Sequence, residues 1–195
     1  WVDDPQVQLG ALNVLLKCAC RGLHELDDVW NDVVDAIVEG CKLDVCRDKL
    51  FDVLAVYGLR KGGHLPASDQ LLYRIRRDGH CISDTGAVVP LAQRNGLMTQ
   101  PLQLGYVATA EGLSFLHDKK FDKAAEYLGA AREYMHVVGG STEQRDVLEE
   151  ALVHANLCMG NLKGLTSAMQ ELVRRDAERN GAFPFIRTLL EDVRA

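Results

Sequence analysis

His80 and Cys81 are the closest approach in this 195-residue chain to a nucleophile beside a base. In such a pair an imidazole takes the thiol proton, and the thiolate attacks an electrophile. These two are neighbours in a predicted loop, whereas working dyads are usually built from separate parts of a fold. Ser141 is a second candidate nucleophile, but its place before a predicted helix assigns it to capping. Gly139-Gly140 lacks the following Lys-Ser/Thr and the preceding strand of a phosphate-cradling loop. The six cysteines raise the question of a metal or a disulfide. Cys18 and Cys20 point to nearly opposite sides of one predicted helix, Cys41 and Cys46 straddle a helix start, Cys81 is in a loop, and Cys158 sits on an apolar stripe. There is no CxxC pair and no pair of histidines four apart. They read as structural, reduced thiols with no metal, which favours a reducing, cytoplasmic setting. The chain therefore reads as non-enzymatic, with no catalytic residues and no cofactor.

The polar residues that remain suit recognition. Arg145 and Asp146 are placed to face a groove between helix hairpins and bind a peptide carboxylate or an acidic ligand. The alternative is that they pin their helix to a neighbouring hairpin. Arg132 and His154 complete the candidate interaction set. His154 and Asn156 lie on or near an apolar stripe, where such residues are normally satisfied within the core. Tyr127 and Tyr134 share a helix face and read as packing residues. The net charge is −6, which argues against a generic nucleic-acid surface. The basic clusters Arg74-Ile75-Arg76-Arg77 and Arg174-Arg175 fall in the last turns of predicted helices, where they complement the dipole. Asp27, Asp28, Asp32, Asp35 and Glu39 form a solvated acidic face. No apolar run approaches the ~20 residues that span a bilayer, so no membrane contact is expected. No signal peptide is visible, and Trp1 in place of an initiator Met suggests a fragment.

These groups are positioned by helices. The clearest signal is Gly139-Gly140-Ser141-Thr142-Glu143-Gln144-Arg145-Asp146. Glycine closes one helix, Ser141 caps the next, and Gln144 three residues on completes a capping box. The apolar stripe before it runs from Phe121 to Val138, and the one after it from Val147 to Met159. Further helices are predicted over about 5–21, 25–39, 44–61, 66–78, 100–117 and 162–179, with a last amphipathic one after Pro184. Pro5, Pro66, Pro101 and Pro184 sit at helix starts, and Gly pairs at ends. Residues 80–98 interrupt this order with Gly86, Pro90 and Gly96, and read as a loop with at most one short helical piece over Ala87–Ala92.

Turns inside successive hairpins fall near Gly22, Gly63, Lys119 and Gly160, a helical-repeat period with one insertion. The chain divides into two hairpins (1–79), an insertion loop (80–99), and two hairpins plus a terminal helix (100–195). The predicted fold is all-α, antiparallel hairpins stacked as a tetratricopeptide-like solenoid. Gly112, Phe115, Phe121, Ala124, Leu128 and Ala131 fall where that repeat wants small, aromatic, aromatic, alanine, large apolar and alanine.

The run Ala110-Glu111-Gly112-Leu113, Phe121-Asp122-Lys123-Ala124 and the Gly139–Val147 junction resembles the tetratricopeptide repeat protein 38 family. Asp4-Pro5-Gln6 and Leu50-Phe51-Asp52 match more weakly, and Glu143 departs from the usual alanine or histidine. The resemblance implies the C-terminal half of a longer helical-repeat scaffold with no assigned reaction. The expected function is protein interaction through a groove between hairpins. Two alternatives stand beside it: a packing or self-association module, which would make a homo-oligomer through the truncated N-terminal end, and a helix-walled small-molecule or enzymatic domain.

Overall fold

In the computed structural model the described residues are 49–96, 101–134 and 142–178. The helices expected before residue 49, the Gly139-Gly140-Ser141 junction and the helix expected after Pro184 lie outside them, as does the side chain of Gln144. The described residues form six α-helices and no strand: α1 (Lys49–Lys61), α2 (Leu65–Asp78), α3 (Pro101–His117), α4 (Phe121–Tyr134), α5 (Thr142–Met159) and α6 (Leu162–Glu178). The all-α reading therefore holds here.

Three hairpins are closed by one turn geometry. Gly63, Lys119 and Gly160 each take a left-handed backbone, with φ of 81°, 58° and 67°. The N–H of the following residue then reaches back to the carbonyl five positions earlier: His64 to Leu59, Lys120 to Phe115 and Asn161 to Asn156. Two of the three positions are glycine, the residue for which this conformation carries no Cβ penalty. Lys119 occupies the third with a side chain in place. Lys119→Gly removes that strain, worth about 1–2 kcal/mol, against a Gly entropy cost of about 0.5–1 kcal/mol. The expected outcome in urea denaturation is a small gain in stability.

The turns also register the second helix of each hairpin. Five residues past the turn stand Ser68, Ala124 and Leu165; nine past it, Leu72, Leu128 and Met169; twelve past it, Ile75, Ala131 and Leu172. All nine are buried. The first helices are more deeply enclosed. Every residue of α3 from Leu104 to Ser114 is buried, so the helix is enclosed on all sides, as a central helix must be. It packs on α1, α2, α4 and α5, while α5 packs in turn on α4 and α6.

At Gly112 the α3–α4 approach is tight. A Cβ built there would stand 2.7 Å from Leu128 Cγ and 3.1 Å from the Leu128 backbone nitrogen. Sequence periodicity asks for a small residue at this point, and the geometry shows the reason.

Residues 80–96 are more ordered than a plain loop. His80, left-handed at φ 53°, caps α2, and the Cys81 N–H bonds the Arg76 carbonyl at 2.8 Å. The chain then folds back on itself. Ser83 N–H bonds Ala87 O, Val89 N–H bonds Cys81 O, and Ile82 pairs with Val88 as an isolated antiparallel bridge. A 3-10 helix, Leu91–Gly96, follows. The helical piece expected at Ala87–Ala92 is thus displaced. Pro90 lacks an N–H and biases Val89 toward extended backbone, so residues 87–89 pair and the helix starts only at Leu91.

Candidate functional site

Helix α3 carries one Asp, Glu, Lys or Arg in its seventeen residues, and it is Glu111. Helix position puts that carboxylate among the buried groups, where an unpaired charge would be strongly unfavourable. Arg94, from the 3-10 helix, reaches it with two nitrogens: Nη1 donates to Oε2 at 2.5 Å and Nη2 to Oε1 at 3.0 Å. Arg76 of α2 adds Nε to Oε1 at 2.7 Å. Arg94 and Glu111 are 2 % and 1 % exposed, while Arg76 keeps 21 % of its side chain in solvent.

The remaining Arg94 donor, Nε, bonds the Val89 carbonyl at 2.9 Å. Its guanidinium also lies 5.6 Å from the centre of the Tyr127 ring, a cation–π distance. Phe115 meets the Tyr127 ring edge-on, with centroids 5.1 Å apart. Burial works against the Arg94 charge. The Glu111 carboxylate overcomes that and holds the guanidinium above its ordinary range. Burial and then Glu111 push the Tyr127 hydroxyl up, so it stays protonated. One loop, three helices and an aromatic pair are therefore tied together through a single carboxylate.

This placement corrects one sequence reading. Arg76 does not serve its helix end alone: its side chain runs to Glu111, and Arg74 pairs with Asp52 of α1 at 3.0 Å. Cys81 is fully buried and donates to the Gly79 carbonyl, whereas His80 is exposed. Burial first, and Glu111 after it, push the thiol up despite the pull of Arg94 and Arg76. A thiol held protonated and enclosed is a poor nucleophile.

Of the four candidate interaction residues, Arg132 and Arg145 are half-buried, Asp146 is buried and His154 is exposed. Arg132 of α4 bonds the Ser167 hydroxyl at 3.0 Å and its carbonyl at 3.1 Å, and pairs with Glu149 at 3.1 Å. It thereby joins α4 to both helices of the next hairpin. Asp146 is wholly buried. Arg145 is half-buried, and its Nε finds no hydrogen bond among the described residues. His154 is exposed and lies tilted against Phe121, with ring centroids 6.1 Å apart. Asn156 is buried, bonding Leu152 O and accepting from Asn161. Tyr134 is partly buried against the core.

Beside Arg94, the 3-10 helix, α3 and α4 enclose an open cleft of about 190 Å³. Leu91, Leu104, Ala108 and Ala130 give it an apolar floor, with Glu126, Glu133 and Tyr134 on the α4 side. Sequence reading passed over Glu111 and Arg94, though a signal was present. Glu111 is the lone acid in an uncharged helix, and Arg94 is the only Lys or Arg between Arg77 and Lys119.

Among the described residues no three His, Cys, Asp or Glu gather as metal ligands, and no helix is long and apolar enough to cross a membrane. Over the described residues, fold and site together define an all-α arrangement of helix hairpins with an ion-paired loop between α2 and α3. Comparisons with protein-family models, with curated proteins and with solved structures returned no match.

Proposed function

We propose that this chain is a non-enzymatic helical-repeat scaffold, its hairpins stacked as a tetratricopeptide-like solenoid that holds a segment of a partner protein. The observation that carries the reading is that all three described hairpins turn in the same way, left-handed at Gly63, Lys119 and Gly160 with the same backbone bond five residues back, a geometry that also ends α2 at His80. Equivalent buried positions follow each turn at the same offsets. A hairpin that repeats in this way buries its apolar face only by stacking on its neighbours, and stacking leaves a long surface free for ligands. The resemblance to the tetratricopeptide repeat protein 38 family agrees with this, and a cytoplasmic setting goes with it.

Two features weigh against a small-molecule enzyme. The cleft of about 190 Å³ is below the roughly 300–1,000 Å³ of typical ligand pockets. In the buried ionic cluster each Arg94 nitrogen already bonds Glu111 or Val89, and the Arg76 Nε bonds Glu111, an arrangement that holds position.

Panning a display library of unstructured peptides against the protein tests the scaffold reading. Enrichment of sequences that share a spacing of anchor residues and compete with one another is the expected result. No enrichment over a scrambled library would remove the reading. Self-association is the second reading, favoured by the exposure of Leu162 at 72 %, with Leu157 and Val173 also exposed on the last described hairpin. Sedimentation velocity separates it: a dimer that dissociates on Leu162→Glu supports self-association, and a monomer at all concentrations excludes it.

A further inference from the structure

We infer that the cleft between the 3-10 helix, α3 and α4 is the docking point of that scaffold for a basic, aliphatic-flanked peptide, and that it takes one Arg or Lys side chain of the partner. The inference rests on the scaffold reading above and adds the chemistry of the ligand.

Size limits the occupant first. A space of about 190 Å³ holds one large side chain and excludes a folded element or a drug-sized molecule. Lining comes next. The floor is apolar, from Leu91, Leu104, Ala108 and Ala130, which suits a hydrocarbon stem. The rim is acidic. Glu126 and Glu133 stand seven residues apart on α4, on the same face and roughly 10 Å from one another along the axis. Both are exposed, and neither forms an ion pair among the described residues. A side chain that buries a stem and keeps a cationic head at the rim matches both regions at once. Tyr134 completes the lining on the α4 side.

Among the described residues Arg94 is the one cation in this lining, and it does not oppose the match. Its two terminal nitrogens are taken by Glu111 and its Nε by Val89. The site thus presents two unpaired carboxylates over a neutralised base. The net charge of −6 steers a basic partner in the same direction and makes the encounter salt-sensitive. Pinning of residues 80–96 by Glu111 keeps Leu91 in the wall, so the cleft is formed before the ligand arrives.

The test uses the whole chain and a defined probe, the acetylated and amidated peptide Ala-Leu-Arg-Leu-Ala, titrated by isothermal calorimetry at low and physiological salt. A control peptide has norleucine in place of the arginine. Saturable binding that weakens with salt is expected, and about tenfold weaker binding for the Glu126→Gln, Glu133→Gln double variant. The norleucine peptide should lose a similar factor. Ala130→Phe, which fills the cleft without changing charge, should abolish binding while the helical circular dichroism stays as in the wild type. Equal binding by the double variant, by Ala130→Phe or to the norleucine peptide would overturn the inference, as would no saturable binding at millimolar probe. Failure here is distinct from failure of the scaffold reading. If panning enriches acidic or wholly apolar sequences, the scaffold stands and the basic ligand falls; if it enriches nothing, both fall.

Discussion

Glu111→Ala is expected to destabilise the protein by about 3–5 kcal/mol, the range for removing one partner of a buried ion pair. At this chain length such a loss lowers the melting temperature by roughly 10 °C. The cost comes from what is left behind. Arg94, 2 % exposed, would keep its charge with no carboxylate opposite it, because arginine does not give up its proton to escape burial. Arg76 has a way out, since a fifth of its side chain already meets solvent. The effects should therefore rank Glu111→Ala, then Arg94→Ala, then Arg76→Ala. In Arg94→Ala the carboxylate retains Arg76, which softens the loss. Replacing both charges, as in Arg94→Met with Glu111→Leu, should recover much of the stability, since apolar groups of similar size often substitute for a buried pair. Urea denaturation of the four variants checks the ranking. A Glu111→Ala variant within 1 kcal/mol of wild type, the scale of a surface pair, would show that the cluster is solvated.

The second large effect concerns Gly112. In an isolated helix Gly→Ala gains about 1 kcal/mol. Here the sign should reverse. The added methyl meets Leu128 Cγ at 2.7 Å and Cδ2 at 2.9 Å, and the Leu128 nitrogen at 3.1 Å. A side chain can rotate away, but a backbone nitrogen inside α4 moves only with its helix. Gly112→Ala should therefore destabilise, and Gly112→Val should do so by about 1–3 kcal/mol or more, as overpacking does. Adding Leu128→Ala to Gly112→Val should relieve the side-chain part of the clash and leave the backbone part. Thermal melts of the single and double variants decide it, and a stabilised Gly112→Ala would mean that α3 and α4 are not held this close.

Much of the helical framework was legible because local chemistry and packing agree along it. Proline at the starts of α2 and α3, glycine near the ends of α1, α2 and α5, and apolar stripes at helical spacing all point to the same boundaries. The turns at Gly63 and Gly160 could be read from residue type, and the turn at Lys119 from the charged run Asp118-Lys119-Lys120. The inserted segment was harder. Its order does not come from periodicity: it comes from the backbone pairing of residues 81–89 and from Arg94 reaching a carboxylate seventeen residues away. A contact of that range leaves no pattern in a window of sequence. Glu111 was hidden for a related reason. In an amphipathic helix a glutamate marks the solvent side, and only the absence of any other charge in α3 shows that this helix has no such side. Arg132 illustrates the converse. The sequence offers it as a candidate interaction residue, and its bonds to Ser167 and Glu149 show what the periodicity of α4 could not, that it also ties α4 to the next hairpin.

Hydrogen–deuterium exchange, read by mass spectrometry on the wild type and on Glu111→Gln, tests most directly that a buried carboxylate fixes the insertion to the hairpins. In the wild type the amides of Cys81 and Val89, bonded to Arg76 O and Cys81 O, should exchange nearly as slowly as those of α3. In the variant, protection over residues 81–94 should collapse first, while α5 and α6 keep theirs. Fast exchange of that segment in the wild type, or equal loss across all six helices in the variant, would contradict the account.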